Sequence, residues 1–362
     1  MLGSMPLGQA AAAALGQTWP PFALVTGLLL TGLVAHRDGV FASVAGWLAR
    51  LPGGEISLYA VSMLVVAATT VVLNLDTSVA FLTPVLVQLA RRRGSGAAVF
   101  VYGCVYMSNA ASLLLPGSNL TNLLVFAANP LPGAAFARDM AAGWGAAVVV
   151  TGVLTYAVVR RWRDGSVEPE RAATDVAGTG RLGWLAVAVV IVLVLVVPQP
   201  ALPVLGCGVL VAAVRALRGE LAPRAMLRAV NPLIFGGLFA LACVLGTVAR
   251  LWAGPAAVMH AASGWQTAGL GAVAAVAVNN LPAAVLLSAG GVPHARSLLL
   301  GLNLGPNLAV TGSLSAVIWM QVARGAGGSA SPRRYTLGGL LLVPCSIAAA
   351  LAAFSLSGTP RL

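Results

Sequence analysis

The sequence contains no lysine, and charge of either sign is scarce. All 21 basic residues are arginine, there are nine acids, and charged residues make up 8% of the 362 residues, against roughly 25% in a soluble domain. Hydrophobic residues reach 59%, more apolar surface than a soluble chain of this length buries. The composition therefore excludes a soluble protein and predicts an all-α, polytopic membrane protein, because helices satisfy their own backbone hydrogen bonds in lipid.

Cysteine and histidine are also few. The four cysteines form no CxxC pair and the three histidines do not cluster, so neither a disulfide framework nor a metal site is predicted. We expect no cofactor.

The arginines stand in short clusters between apolar stretches, which is typical of membrane orientation signals rather than of nucleic-acid binding.

These absences also exclude several enzymes. Without lysine there is no GxxxxGK[ST] phosphate loop, so the chain itself is no ATP-driven pump, although a separate ATPase subunit stays compatible with the sequence. No histidine lies within a span to activate a serine, and no second carboxylate accompanies Asp76 for aspartyl protease chemistry. We therefore expect a transporter, not an enzyme.

Ten apolar stretches are long enough to enter the bilayer, since a spanning helix needs about 20 apolar residues. They lie near 20–36, 55–90, 97–128, 140–160, 183–198, 201–217, 232–250, 266–289, 296–323 and 335–356. No arginine precedes position 37, so the basic region of a cleaved signal peptide is missing. The first stretch is expected to stay as a membrane helix.

The stretch 55–90 is too long for one crossing, because a straight helix over it would run to roughly 50 Å. Arginines flank both of its ends, which predicts that both ends face the cytoplasm. We predict a re-entrant hairpin whose polar tip contains Asn74 and Asp76, and a second hairpin over 266–289 that turns at Asn279.

The order helix, hairpin, interrupted helix, helix then occurs twice. A first repeat covers 20–160 (hairpin 55–90, broken helix 97–128, last helix 140–160) and a second covers 232–356 (hairpin 266–289, broken helix 296–323). A cytoplasmic linker, 161–182, and a scaffold helix pair, 183–217, separate them. The repeats start on opposite sides, an inverted topology common in secondary transporters, and the protein is predicted to be a multi-pass protein of the inner (plasma) membrane.

Polar groups inside the apolar stretches mark the candidate site. Asp76 is the single carboxylate deep in such a stretch, and intramembrane acids are functional candidates by default. Polar segments that contain Gly and Pro interrupt 97–128 at Leu115–Asn122 and 296–323 at Gly305–Ser313. Helices that restart there present N–H groups and a positive dipole end to anions.

These motifs resemble an ion-transporter superfamily that includes arsenite/antimonite permeases (ArsB-type), NhaD-type sodium/proton antiporters and divalent-anion/sodium symporters. The resemblance is closest to the permeases, and it rests on 73–84, on 111–120, on 279–282 and on 304–314 with Trp319. It implies that two hairpin tips and two unwound helices meet at one midplane site, with Asp76 as the carrier of a coupling ion or proton. The predicted site residues are Asn74, Asp76, Thr77, Ser118, Asn119, Asn122, Asn279, Asn280, Asn303, Asn307, Thr311 and Ser313.

The chain departs from the permeases in two ways. Asn109, Asn303 and Asn307 are neutral amides where the permeases typically carry charges, and Leu75 stands where the superfamily often has asparagine. The superfamily also begins with an extra helix pair, the counterpart of 183–217. Its absence leaves the geometry of a homodimer open.

The sequence therefore predicts a secondary active transporter for a small inorganic solute, with proton-coupled arsenite or antimonite efflux as the sharpest hypothesis. A ring of Asn, Ser and Thr side chains is suited to replace the hydration shell of neutral arsenous acid. Sodium/proton exchange, anion symport and an uncoupled channel remain alternatives. The expected partners are the solute, a coupling proton or sodium ion, and the lipid bilayer.

Overall fold

The computed structural model of the protein describes residues 6–127, 130–162, 180–197 and 199–357. Within these ranges the chain is helical and has no β strand, as the fold class predicts. Most of the predicted linker 161–182 lies outside the described residues.

The first repeat consists of a long helix, a short helix, a helical hairpin, an interrupted helix and a second long helix. They are α1 (Leu7–Arg37), α2 (Val40–Arg50), α3 (Glu55–Val72), α4 (Leu75–Arg93), α5 (Ala97–Ala111), α6 (Leu120–Val125) and α7 (Gly133–Val159). A 3-10 turn, Pro116–Ser118, lies in the interruption between α5 and α6.

In the described part of the segment between the repeats, the structure has α8 (Arg181–Val196), α9 (Ala201–Leu217) and the short α10 (Pro223–Val230). The second repeat then has the same order as the first. Its helices are α11 (Pro232–Leu251), α12 (Gly254–Ala261), α13 (Gly264–Val278), α14 (Asn280–Ser288), α15 (Ala295–Leu304), α16 (Leu314–Gly325) and α17 (Pro332–Leu356). Two 3-10 turns, Gly305–Leu308 and Val310–Gly312, fill the interruption between α15 and α16.

Two long helices begin earlier than hydropathy predicts. The first helix was expected over 20–36 but begins at Leu7, with Pro20 and Pro21 inside it. The alanine-rich run before the prolines is a strong helix former, so the helix forms on both sides of a pair that usually marks a boundary. Likewise α7 begins at Gly133 rather than at 140.

The short helices α2, α10 and α12 are absent from the sequence prediction. They contain 11, eight and eight residues, far below the about 20 that a spanning helix needs. A search for spans therefore passes over them. Since α2 and α12 each precede a hairpin, they belong to the repeated unit.

Several helices are suited to cross a bilayer. Among the described residues, five helical stretches are long and apolar enough, and they are Leu7–Arg37, Glu55–Val72, Gly133–Val159, Pro223–Leu251 and Pro332–Leu356. Large apolar side chains are exposed on their outer faces, among them Leu64, Val149, Val244 and Leu340. So many large apolar side chains exposed on long helices fit lipid rather than water.

Equivalent long helices of the two repeats pack in opposite directions. Near the end of α11, Arg250 donates a hydrogen bond to Gln17 in the first part of α1. Near the start of α17, Arg334 lies 5.9 Å from the centre of the Trp162 ring, just beyond the end of α7. An inverted repeat requires this antiparallel relation.

Buried aromatic rings join the repeats at one end. The ring centroids of Tyr102 in α5 and Trp319 in α16 lie 5.0 Å apart, and those of Trp319 and Tyr335 in α17 lie 5.4 Å apart. Trp319 also donates its indole N–H to the carbonyl of Val101 at 2.8 Å. Because this hydrogen bond satisfies the indole N–H, the ring of Trp319, the largest in the core, is fully buried without an unpaired polar group.

A salt bridge fixes α1 to the helices between the repeats. The buried Asp38, just after α1, accepts from Arg215 of α9 at 2.7 Å and from the backbone N–H of Gly183 in α8 at 2.6 Å. Farther along, Gly27 and Gly208 allow α1 and α9 to approach so closely that a methyl group on either would collide with the partner's backbone. The α1, α8 and α9 group is therefore tightly packed.

Candidate functional site

Both hairpin turns are built around an asparagine in an unusual backbone conformation. Asn74 has φ 135° and ψ 171°, and Asn279 has φ 75° and ψ 148°, a region occupied mostly by glycine. Each side chain then caps the helix that follows. Asn74 Oδ1 accepts from the N–H of Thr77 at 2.8 Å, and Asn279 Oδ1 accepts from the N–H of Leu281 at 3.3 Å.

The two interrupted helices restart in the same way. Asn119 caps α6 by accepting from the N–H of Thr121 at 3.2 Å, and Ser313 caps α16 by accepting from the N–H of Ala316 at 3.2 Å. Four predicted site residues are therefore N-caps, of α4, α6, α14 and α16. The sequence places oxygen-bearing side chains where helix starts have unpaired N–H groups.

All four helix starts meet at one small space, here called the inner cavity, of about 40 Å³. The predicted residues that line it are Asn74, Asp76, Ser118, Asn119, Asn279, Asn280 and Ser313. The Ser118 hydroxyl donates to the carbonyl of Val71 at 3.0 Å, which holds the first break against the first hairpin. Two buried polar atoms on lining residues, Asn74 Nδ2 and Thr121 Oγ1, have no hydrogen-bond partner in the described chain.

Asp76 accepts a hydrogen bond from the Ser315 hydroxyl. Ser315 lines the inner cavity but is missing from the sequence prediction. A usable signal exists, because Ser315 holds the same position in α16, second after the N-cap, that Thr121 holds in α6. The contact joins the first hairpin to the second broken helix.

A much larger space, here called the vestibule, reaches Asp76 from one side. It has a volume of about 700 Å³, and Asp76 lines both it and the inner cavity. Arg37 at the end of α1 and Arg224 and Arg228 of α10 also line it, together with Gln321. These arginines belong to the segments that charge distribution predicts to be cytoplasmic.

Asn303 does not line the inner cavity. Its side chain instead forms hydrogen bonds that hold the first helix break, between α5 and α6, in place. Its Oδ1 accepts from Asn119 Nδ2 at 2.6 Å and from the Ser112 hydroxyl at 2.8 Å. Its Nδ2 donates to Asn122 Oδ1 and to the carbonyl of Leu299, both at 2.9 Å. Asn122 in turn donates to the carbonyls of the first break, so both residues are buried with their hydrogen bonds made.

Asn307 occupies the reciprocal place in the second break. Its Oδ1 accepts from Asn109 Nδ2 at 2.7 Å and lies 3.4 Å from the hydroxyl of Tyr335. Thus Asn109, from the first half of one broken helix, reaches the break of the other, as Asn303 does in the opposite direction. Neutral amides form this network without counter-ions, whereas buried charges would need partners.

Two predicted residues lie elsewhere. Thr77 is buried, packs its methyl group against Gly32 of α1 and lines the vestibule rather than the inner cavity. The side chain of Thr311 is exposed, and only its backbone carbonyl contributes, by accepting from Asn279 Nδ2 at 3.1 Å. Their spacing in the motif gave no information on which way they face.

In the described residues, no group of three or more His, Cys, Asp and Glu side chains is arranged to hold a metal ion.

The sequence model of the CitMHS family, described as citrate transporters, matches residues 1–314. The chain belongs to this citrate transporter family. It is therefore a multi-pass membrane transporter and not an enzyme.

Two further similarities cover most of the chain. A "46 kDa membrane protein" of Mycobacterium leprae (strain TN) is 24% identical over 371 residues, which cover 92% of this chain and 85% of that protein. The crystal structure of the YdaH transporter of Alcanivorax borkumensis superposes with a TM-score of 0.61 at 13% identity, covering 95% of this chain and 87% of that one. At that identity the match supports the transporter fold alone. The arsenite permease assignment stays a prediction.

Proposed function

We propose that the chain is a secondary active transporter of a small polycarboxylate of the citrate type, coupled to a proton or cation at Asp76. The observation that carries this proposal is that four helix N-termini converge on a cavity that shares the carboxylate of Asp76 with the vestibule. The positive ends of α4, α14 and α16 favour an anionic group there.

The two spaces differ enough in size to suggest different occupants. The inner cavity, about 40 Å³, is on the scale of a single water molecule, whose share of the liquid is about 30 Å³. It suits one ion, or one carboxylate group of a larger solute. The vestibule, about 700 Å³, falls within the range of about 300–1,000 Å³ that small-molecule sites occupy. We place the body of the solute in the vestibule and the coupling event at Asp76.

Coupling follows from the position of Asp76. A carboxylate that faces both spaces is able to exchange a proton or cation with the vestibule while it remains next to the solute. The hydrogen bond from Ser315 links the protonation or ion-binding state of Asp76 to α16. It therefore also links that state to the second helix break, which must move when the site changes the side to which it opens. We also propose an inner (plasma) membrane location, with the arginine-lined vestibule facing the cytoplasm.

Proton-coupled arsenite or antimonite efflux is the second candidate. It is favoured by the neutral amides and hydroxyls around the inner cavity, which match the hydroxyl groups of a small uncharged solute. The helix N-termini and the arginines of the vestibule do not strengthen the binding of such a solute, because it carries no negative charge.

The test is solute uptake by the purified full chain in proteoliposomes. Labelled citrate, a dicarboxylate, arsenite and antimonite are supplied in turn, with and without an imposed pH gradient, and empty liposomes serve as the control. We expect saturable, gradient-stimulated citrate uptake that unlabelled tricarboxylates inhibit. Arsenite or antimonite flux without polycarboxylate flux would replace the proposal by the second candidate, and flux of neither would refute both.

A further inference from the structure

We propose that Arg37, Arg224 and Arg228 form an entry site that binds the carboxylates of a polyanionic solute before it reaches Asp76. This inference rests on the proposed function and names the residues that select the charge of the solute. All three line the vestibule, and none of them lines the inner cavity, where α4, α6, α14 and α16 begin.

The short helix α10 presents two of the arginines to the same space. Arg224 and Arg228 are four residues apart, which puts them one above the other on one face of a helix. Ala225 and Ala229 also line the vestibule, so small side chains flank the arginines there. Leu227 is 59% exposed on the outside, where the amphipathic helix is suited to lie at the lipid interface.

These arginines lack the partners that a structural arginine has. In the described residues, none of the three forms an ion pair or a side-chain hydrogen bond. The nearby Arg215 differs, because it is paired with both Asp38 and Glu220. Insertion of the chain with its arginines on the cytoplasmic side explains why positive charge lies at this level, but it does not explain why three unpaired guanidinium groups face one cavity.

The walls of the vestibule strengthen the attraction. Leu29, Leu33, Phe81 and Ile318 line it, and a cavity with apolar walls focuses the field of the charges at its rim. Guanidinium groups bind carboxylates through paired hydrogen bonds. A di- or tricarboxylate can engage two or three of these arginines at once, whereas a monocarboxylate engages one and a neutral solute gains nothing.

Two sources of anionic groups are available at this level, namely a free polycarboxylate and the headgroup of an anionic lipid. Both offer charged oxygens to guanidinium groups. The size of the vestibule and its connection to Asp76 favour the solute. A lipid headgroup would instead depend on the composition of the bilayer, which an experiment can vary.

The test compares the double variant Arg224→Gln/Arg228→Gln with Arg218→Gln. Arg218 is an exposed arginine just beyond α9 that lines neither cavity, so it controls for loss of positive charge at the same level. Citrate binding is measured on the detergent-purified chains. Citrate uptake is measured in liposomes of zwitterionic lipid alone and in liposomes with added anionic lipid.

We expect the double variant to raise the Kd and KM for citrate at least about tenfold, with kcat within about twofold of the wild type. The loss should be smaller for a monocarboxylate, and the salt dependence of KM should become weaker. Arg218→Gln should behave like the wild type. Arg37→Gln should raise KM in the same direction.

Three results would overturn the inference. A double variant with unchanged citrate Kd and KM, in a wild type that binds and transports citrate, would refute the entry site and leave the proposed function standing. A defect seen only in the presence of anionic lipid would assign the arginines to headgroups. A wild type that neither binds nor transports any polycarboxylate would refute the proposed function and this inference together.

Discussion

At the scale of single residues, the asparagines of the hairpin tips combine a structural role with a role at the site. Asn74 has a backbone conformation that costs on the order of 1–3 kcal/mol for residues other than glycine, and it caps α4. Its amide nitrogen nevertheless has no partner in the described chain, although the residue lines the inner cavity. Substitutions that keep one role and remove the other can separate the two.

Asn74→Gly and Asn74→Ala form such a pair. Glycine adopts the Asn74 conformation without strain and is nearly as good an N-cap, so we expect its melting temperature in detergent to stay close to the wild-type value. Alanine keeps the strain that the wild type already has and loses the cap, so it should lower stability by about 0.5–2 kcal/mol. If the amide contacts solute or ion, the glycine variant should still lose at least about tenfold in uptake. A fully active glycine variant would reduce Asn74 to a cap.

A functional residue can be identified from the sequence when its side chain is unusual for the stretch around it. It is missed when such side chains are common there. Asp76 is conspicuous because a carboxylate in an apolar stretch is costly. Ser315 is not, because single hydroxyls are common in membrane helices, and only the structure shows that it touches Asp76. Thr311 lies in the right motif with its side chain facing outward, since a motif specifies position along the chain but not direction.

At the scale of elements, the two broken helices are fixed to each other by amides. Asn303 and Asn109 each lie in the first half of one broken helix, and their side chains form hydrogen bonds in the break of the other. The two breaks therefore behave as one unit, and a movement of α5 and α6 must carry α15 with it. From the sequence, these amides could be noted only as a departure from the charges typical of the permeases, and nothing there indicated this exchange.

Replacement of Asn303 by alanine tests the coupling of the breaks. The substitution removes four hydrogen bonds. It leaves Asn122 Oδ1 without its partner and Asn119 Nδ2 with only the 3.5 Å contact to the Ser112 hydroxyl, so stability should fall by about 1–3 kcal/mol. Uptake should be lost as well. Thr247→Ala is the matched control, since it removes one hydrogen bond inside a single helix. Equal melting temperatures for the two variants would contradict the role given to the amide network.

Hydropathy located the long helices and both interruptions, because apolar length and polar breaks are properties of the sequence itself. It missed α2, α10 and α12, which are too short to span a bilayer. The omission matters for function, since α10 carries two arginines of the vestibule. Short helices at the interface depend on tertiary packing, which a single sequence does not reveal.

At the scale of the whole molecule, α1 packs antiparallel to α11, and α7 packs antiparallel to α17. Arg250 donates a hydrogen bond to Gln17, and Arg334 lies 5.9 Å from the centre of the Trp162 ring, so opposite ends of equivalent helices come together. The charge distribution then predicts which side each loop occupies.

Cysteine labelling checks that orientation. The four native cysteines are first replaced, and single cysteines are introduced at Ser95, Gly219, Leu131 or Gly291, all of which lie between helices. An impermeant thiol reagent should label Leu131→Cys and Gly291→Cys in right-side-out vesicles, and Ser95→Cys and Gly219→Cys only after the membrane is opened. The same accessibility for Ser95→Cys and Leu131→Cys would contradict the inverted topology.

We infer that Asp76, between the vestibule and the inner cavity, couples the movement of a polycarboxylate to that of a proton or cation. The most direct measurement follows internal pH in proteoliposomes as citrate is added, for the wild type and for Asp76→Asn, with sodium present or absent. An asparagine can still accept the Ser315 hydrogen bond, so the variant should fold and bind citrate. We predict proton movement, or a sodium-dependent equivalent, that citrate triggers in the wild type and that is absent in Asp76→Asn. Unchanged, gradient-driven accumulation of citrate by Asp76→Asn would contradict the account.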